Sequence, residues 1–155
     1  SIKPKLDEYD YVIVDCPPNL GIITLNGLRI SQHYLIPTIP DYMSTYGIPQ
    51  IIKRVQQFSD SIAEPIEPLG IVINKFQQNS TVHMNVLKEL KSKKSMRVFK
   101  THILQSNHTA GAAEHKDYSQ TFLQKYGYSG SADQFNQLAA ELVEQIEGNE
   151  HESAA

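Results

Sequence analysis

The sequence predicts an α/β domain built on a mostly parallel sheet flanked by helices. Three observations lead there. Apolar runs without alternation recur at residues 11–14, 34–39 and 69–74, the pattern of strands buried on both faces. Between them lie segments whose apolar residues repeat near 3.6, so strand and helix alternate as crossover connections require. With 155 residues, 40% apolar and 20% charged, the chain is long enough for one domain with its own core.

Each element has its own signal. The run 11–14 ends in Asp15, followed by Pro17, Pro18 and Gly21. An acid at the carboxyl end of a buried parallel strand faces the crevice where open α/β sheets bind ligands. Residues 22–31 predict a short helix with Leu25, Leu28 and Ile30 available for burial. In the next strand, 34–39, Pro37 and Pro40 mark an edge or an end. Residues 42–47 read as a loop, and a helix is expected from about Pro49, a favoured first-turn residue, to about Ser59. Its apolar face is Ile51, Ile52, Val55 and Phe58. A connection at 59–68 leads to the third strand, 69–74, and then to a helix at 81–93 with Val82, Val86, Leu87 and Leu90 inward. Residues 98–104 predict a short fourth strand, and 108–130 read as broken helices ending in a turn at 126–130. The closing helix, 131–146, presents Phe135, Leu138, Leu142, Val143 and Ile146, with Gly148 as its terminator. One domain, 1–148, is therefore expected, followed by a disordered acidic tail at 149–155.

Composition narrows the function classes. A net charge of −3 argues for no particular partner. One cysteine, Cys16, excludes an internal disulfide framework and fits a reducing cytoplasm. Beside a candidate metal acid it invites a nucleophile reading, but a lone thiol without a partnered His is ordinarily a small buried hydrophobe. The six histidines show no metal-ligand spacing, which argues against zinc. No apolar run reaches the roughly 18 residues that a membrane span needs. Lys88, Lys91, Lys93, Lys94, Arg97 and Lys100 place six cations within thirteen residues, opposed only by Glu89. Such a cluster supplies sequence-independent phosphate contacts, or merely solvates a helix end and offsets its dipole.

The segment YDYVIVDCPPNLGIITLNGL resembles the corresponding run of the ParA/MinD family of deviant P-loop ATPases, and its DNA-partition branch in particular. Tyr9, Asp10, Asp15, Pro17, Pro18, Leu20, Gly21, Thr24, Asn26 and Leu28 carry the match, with Gly27 where alanine is usual. The resemblance extends through LIPTIPDY, GIVINKF and the final helix. It implies part of a P-loop NTPase fold that lacks the P-loop strand, because no Gly-rich loop followed by Lys-Ser or Lys-Thr occurs in the chain. The simplest account is the C-terminal portion of a longer protein.

The resemblance also implies roles. In the intact protein, ATP and Mg²⁺ would be sandwiched in a homodimer, with Asp15 as the catalytic acid holding the metal through water. Pro17 and Pro18 would shape the switch turn. Asn74 and Lys75 end a strand where the family contacts adenine; Gln77 stands where guanine-reading GTPases need an acid, and an Asn amide matches the N6/N7 edge of adenine. Leu104 and Ser106 would complete the nucleotide site, although Leu104 and Gln105 replace the family's Pro-Arg and 111–115 matches its Glu-Ala-Pro element poorly. Asn26 and Asp41 would lie near the dimer interface, with helix or turn capping as the plainer role for Asp41. The cluster from Lys88 to Lys100 would bind non-specific DNA, and a centromere-binding ParB-type partner would stimulate ATP hydrolysis.

The expected function is thus plasmid or chromosome partition by a cytoplasmic, nucleoid-associated ATPase, this chain alone being inactive. One alternative is a non-catalytic interaction module or truncated ParA-like dimerisation fragment. A MinD-like membrane ATPase is the other, and the acidic, polar end EGNEHESAA counts against it.

Overall fold

Three parallel strands, β1 (His33–Thr38), β2 (Glu67–Phe76) and β3 (Val98–Leu104), lie side by side in that order. This computed structural model describes residues 8–93, 95–112, 121, 124, 125, 127 and 130–153. Helices α1 (Ile22–Arg29), α2 (Tyr42–Ile62), α3 (Thr81–Ser92), α4 (Asn107–Ala112) and α5 (Ser131–Ser153) complete the described elements.

Strand β2 explains the layering. Its residues Leu69 to Ile73 are all buried, and alternate side chains reach opposite faces. Ile71, Ile73 and Phe76 join Ile36 of β1, Ile48 of α2 and Val86, Leu87 and Leu90 of α3. Leu69, Val72 and Phe99 take the other face, where Leu138, Leu142 and Ile146 of α5 cover them. The result is a sheet with helices on both sides, as continuous apolar strands demand. A third cluster joins Leu28 of α1 to Val55 of α2 and Ile66.

Gly70 is the tight point of this sandwich. Its φ of +149° lies where side chains are strained, and a Cβ there would meet the Phe99 ring at 2.7 Å and the Arg97 carbonyl at 2.8 Å. The β1–β2 register also shifts there, pairing Tyr34 with Pro68 but Leu35 with Gly70.

Several expectations need correction. Helix α2 begins at Tyr42, not near Pro49, because Asp41 caps it: Asp41 Oδ1 accepts from the Ser44 N–H at 2.8 Å. Pro49 lies inside this helix. The missing N–H and the ring clash cost about 3 kcal/mol, which burial of Ile48 and Val55 offsets. The helix passes Ser59 and ends at Ile62, where Ala63 adopts the left-handed conformation at φ 51°. Ser59 is buried, donating to the Glu64 carbonyl at 2.6 Å and accepting from the Ile66 N–H at 3.3 Å. Helix α5 runs through Gly148 to Ser153, so the expected terminator is not used. An interior glycine costs only about 1 kcal/mol relative to alanine. Ile30 and Val82, expected inward, are exposed, and Val143 lines an open groove with Ala139 and Ala140 instead of joining the core. Most of the stretch 108–130 lies outside the described residues.

The largest correction concerns residues 11–14. They form no strand. Val12 is 50% exposed and Ile13 85%. Their composition suits a buried strand, but a strand exists only by pairing, and none of the described residues pairs with them. Among the described residues the apolar run stands without neighbouring strands.

Candidate functional site

Because the strands are parallel, their carboxyl ends share one rim. Thr38 is in register with Ile73, and Phe76 with Leu104. The segments 38–41, 74–79 and 104–106 therefore lie along it, at the edge where open α/β sheets bind ligands.

Asp15 and the two prolines stand on a separate loop that α1 holds in place. Asp15, Pro17 and Pro18 are exposed. The Asn19 N–H donates to the Pro17 carbonyl at 2.7 Å. The buried Thr24 hydroxyl donates to the Asn19 carbonyl at 2.6 Å and lies 3.3 Å from the Pro17 carbonyl. Asn19 Oδ1 in turn accepts from the Gly21 N–H at 3.0 Å. Two turns along α1, Gly27 makes room for the same segment: a Cβ there would lie 3.0 Å from Cys16 Sγ and 3.3 Å from Val14 Cγ1. Cys16 is half-buried against this helix. The acid is thus displayed to solvent in front of a pinned turn.

At the rim, β2 and β3 enclose a shallow cleft of about 340 Å³ lined by Phe76, Gln77, Gln78, Asn79, Leu104 and Gln105. Asn74 and Lys75 stand at its approach. Lys75 takes the left-handed conformation at φ 50°, and its N–H donates to Asn74 Oδ1 at 2.8 Å. That bond sits inside β2, at the register irregularity between Ile73 and Phe76; it leaves the amide's NH₂ as the group that a base edge would meet. Gln77 Nε2 donates to Gln105 Oε1 across the cleft, and the Gln105 N–H to the Phe76 carbonyl at 3.1 Å. Leu104 is half-buried and Ser106 follows on the same rim.

The remaining candidates are placed as follows. Asn26 is exposed on α1. Asp41 is exposed as the α2 cap, bonded by both the N–H and the hydroxyl of Ser44. Those Ser44 bonds hold its carboxyl below the ordinary carboxylate range. Ser44 also contacts Thr38 Oγ1 at 2.9 Å, tying β1's end to the cap. Lys88, Lys91, Lys93, Arg97 and Lys100 are all exposed around the α3–β3 connection; Lys94 lies outside the described residues. Lys93 pairs with Glu89 at 2.6 Å, and Arg97 donates to Gln145.

Two features escaped the residue pattern. Thr24 was visible only as one letter of a longer run, although its buried hydroxyl is what pins the prolines. Glu141 carried no signal beyond an acidic helix. Its carboxylate accepts from the Lys100 and Thr101 N–H groups at 2.7 and 2.9 Å, along the outer edge of β3. Burial pushes Glu141 up, but those N–H groups, the Thr101 hydroxyl and Arg97 outweigh it, so its carboxyl titrates below the ordinary range. Burial and Lys91 push His102 down, partly opposed by Glu141.

Among the described residues, no three His, Cys, Asp or Glu side chains gather as a metal site. A lone exposed carboxylate nevertheless suits Mg²⁺, which keeps several waters and takes one or two carboxylates together with substrate phosphates. No described helix is long and apolar enough to cross a membrane.

Comparison with known proteins agrees with this geometry. An AAA domain family matches residues 1–67. The chromosome partitioning protein ParA of Myxococcus xanthus is 29% identical over 99 residues, covering 64% of this chain and 35% of that protein. The chain spans less than half the length of curated relatives such as this one and the sporulation initiation inhibitor protein Soj of Bacillus subtilis, of which it covers 46%. Among solved structures, apo McdA of Cyanthece superposes with a TM-score of 0.72 at 20% identity, over 91% of this chain and 56% of its own. Cobyrinic acid a,c-diamide synthase of Mycobacterium smegmatis, with bound ADP and magnesium, superposes with a TM-score of 0.60 at 24% identity, over 68% of this chain and 43% of its own. These likenesses establish the fold, a P-loop NTPase sheet with its flanking helices.

Proposed function

Because the chain belongs to the ParA/MinD family of deviant P-loop ATPases, we propose that it contributes the metal-sensing turn and the base site of an ATP-dependent DNA partition ATPase. One observation carries the proposal: an exposed Asp15 stands ahead of a Pro17–Pro18 turn whose backbone is fixed by Thr24. A switch element needs such an arrangement, an acid free to meet a hydrated ion on a backbone that does not wander.

Within this reading each residue has a task. Asp15 would be the residue that holds a hydrated Mg²⁺ ion. A Mg²⁺ ion, when bound, neutralises charge developing on the phosphates. Pro17 and Pro18 stiffen the turn, since proline fixes its own φ and restricts the residue before it. The Asn74 amide meets the adenine edge, Lys75 and Ser106 flank it, and Leu104 walls the cleft. Phosphate binding requires a Gly-rich loop with its lysine, a motif the chain's eight glycines do not form. The strand bearing that loop would give residues 11–14 the neighbour that they lack among the described residues.

Dimerisation around ATP, with Asn26 and Asp41 near the interface, belongs to the same proposal, as does stimulation by a ParB-type partner in a cytoplasmic, nucleoid-associated complex. The exposed Lys88, Lys91, Lys93, Arg97 and Lys100, with Lys94, would neutralise DNA phosphates without reading sequence. The exposed apolar run 11–14 argues against a free-standing interaction module, for which it would be an aggregation hazard.

The test uses the protein that unites this chain with a phosphate loop. There Asp15→Ala is expected to lower ATP hydrolysis about a hundredfold or more, in the range of losing one electrostatic contact to the transition state. Undiminished hydrolysis would overturn the assignment. Charge reversal at Lys88, Lys91 and Lys93 should weaken DNA retention uniformly across sequences and lower its salt dependence by about one unit per contact. This chain alone should bind MgATP negligibly, and tight binding would contradict the need for an added cradle.

A further inference from the structure

Residues 14–19 touch α1 at three points, each made by a small or polar residue in steps of three. Gly21, at the helix cap, donates its N–H to Asn19 Oδ1 at 3.0 Å. Thr24 sends its hydroxyl to the Asn19 and Pro17 carbonyls at 2.6 and 3.3 Å. Gly27 lets Cys16 and Val14 approach to where its own Cβ would crowd them. Three-residue steps put all three on one helix face.

Of these, Thr24 alone is a buried polar side chain, 7% exposed, and its hydroxyl proton has two carbonyls to serve. A hydroxyl so placed is costly unless satisfied, and here the turn of residues 17–19 satisfies it. The Asn19 N–H and the Thr24 hydroxyl are the groups that hold the Pro17 carbonyl. We infer that Thr24 is the positioning residue of the acid-Pro-Pro turn: its hydroxyl presets the backbone of residues 17–19 before any ligand arrives, and through it the placement of Asp15. The purpose assigned to that placement rests on the proposed ATPase role; the lock itself does not.

Cys16, the chain's one cysteine, lies inside the locked segment and reports on it. In this chain without nucleotide, Thr24→Val keeps the side chain's shape and removes the donor. Alkylation of Cys16 by iodoacetamide, and amide exchange at Asn19 and Gly21, should both accelerate about three- to tenfold, the loss of one net hydrogen bond. Thr24→Ser restores the donor and should stay within about twofold of the parent, with the unfolding midpoint held. Unchanged thiol reactivity and exchange in Thr24→Val would overturn the inference, as would equal acceleration in Thr24→Ser. Should Thr24→Val not fold, Asn19→Ala at an exposed position decides instead: faster alkylation of Cys16 supports a coupled turn, and an unchanged rate refutes it. No nucleotide or metal enters these measurements. A rigid turn in a protein whose Asp15→Ala variant hydrolyses ATP normally would sink the ATPase role of Asp15 and leave the lock standing.

Discussion

The two outer strands of the sheet are finished in opposite ways. Along β3, side chains of α5 take the place of a neighbouring strand: Glu141 receives the Lys100 and Thr101 N–H groups, and Gln134 Oε1 receives that of Leu104 at 2.7 Å. Along β1, no strand and no helical acid or amide lies on the far side among the described residues. The apolar run 11–14, packed at Val14 against α1, is left exposed. An edge that is sealed by its own helix is an end of the fold. An edge left open among the described residues leaves room for more sheet. The contrast separates a finished border from an open one.

The largest effect should come from the strand between them. Gly70→Ala forces a side chain into φ +149° against Phe99 and the Arg97 carbonyl. A loss of about 3 kcal/mol or more is expected from chemical denaturation, the scale of strain plus overpacking. Both edges should loosen together, because both pair through β2. If only one edge loosened in amide exchange, the sheet would not be the single unit described here.

Next in size is the seal. Glu141→Ala leaves two backbone N–H groups without their acceptor and is expected to cost about 1–3 kcal/mol. Amide exchange should rise at Lys100 and Thr101 while β1 is unaffected. In the parent, the fastest amides of β1 should already exceed those two. Equal protection at both edges would remove the contrast on which this comparison stands.

How far this was legible in the chain follows from the same contrast. Strands β2 and β3 and helix α3 could be read directly, since runs such as LGIVIN are apolar because both faces are covered. Residues 11–14 have the same chemistry and form no strand, since a pattern shows what a segment suits and not whether its partner is present. The start of α2 was misplaced because Pro49 is a familiar first-turn residue, whereas the Asp41–Ser44 cap needed the fold to show which of two signals prevailed. Of the candidate site, Asp15 and the prolines were visible as an acid and a turn after an apolar run, although that run forms no strand, and Asn74 as a polar residue near the carboxyl end of β2. Thr24, Gln105's bond to Gln77 and the Glu141 seal were not, because each depends on a loop or helix returning across many positions.

Acid should dissolve the seal before the rest of the sheet. The Glu141 carboxyl is held below its ordinary value of 4.5 in the folded state, so its contribution is complete above that value and is lost as pH falls through the lower folded one. His102 is held below its ordinary 6.5; its unfolded form therefore takes the proton first, and stability begins to fall as pH drops below 6.5. Denaturation midpoints measured from pH 8 to 3 should show both steps. Glu141→Gln should shrink the acid step, leaving the part that Asp41 contributes, and His102→Gln should erase the earlier one. An acid step of parental size in Glu141→Gln would place the responsible carboxylate elsewhere.

The smallest effect sharpens the assignment of the basic cluster, which lies beside the sealed edge. Lys93 and Glu89 make an exposed i,i+4 pair, and such pairs contribute about 0.3–0.5 kcal/mol. Lys93→Ala should therefore shift the denaturation midpoint barely beyond error. That near-silence is what the DNA experiment requires: cations that the fold does not need can be reversed without disturbing β3, so lost DNA retention then reports on phosphate contact. A loss above about 1.5 kcal/mol, the size of a buried interaction rather than a surface one, would mean that the cluster helps to seal the edge. The account of β3 as an edge sealed by α5 alone would then have to be redrawn.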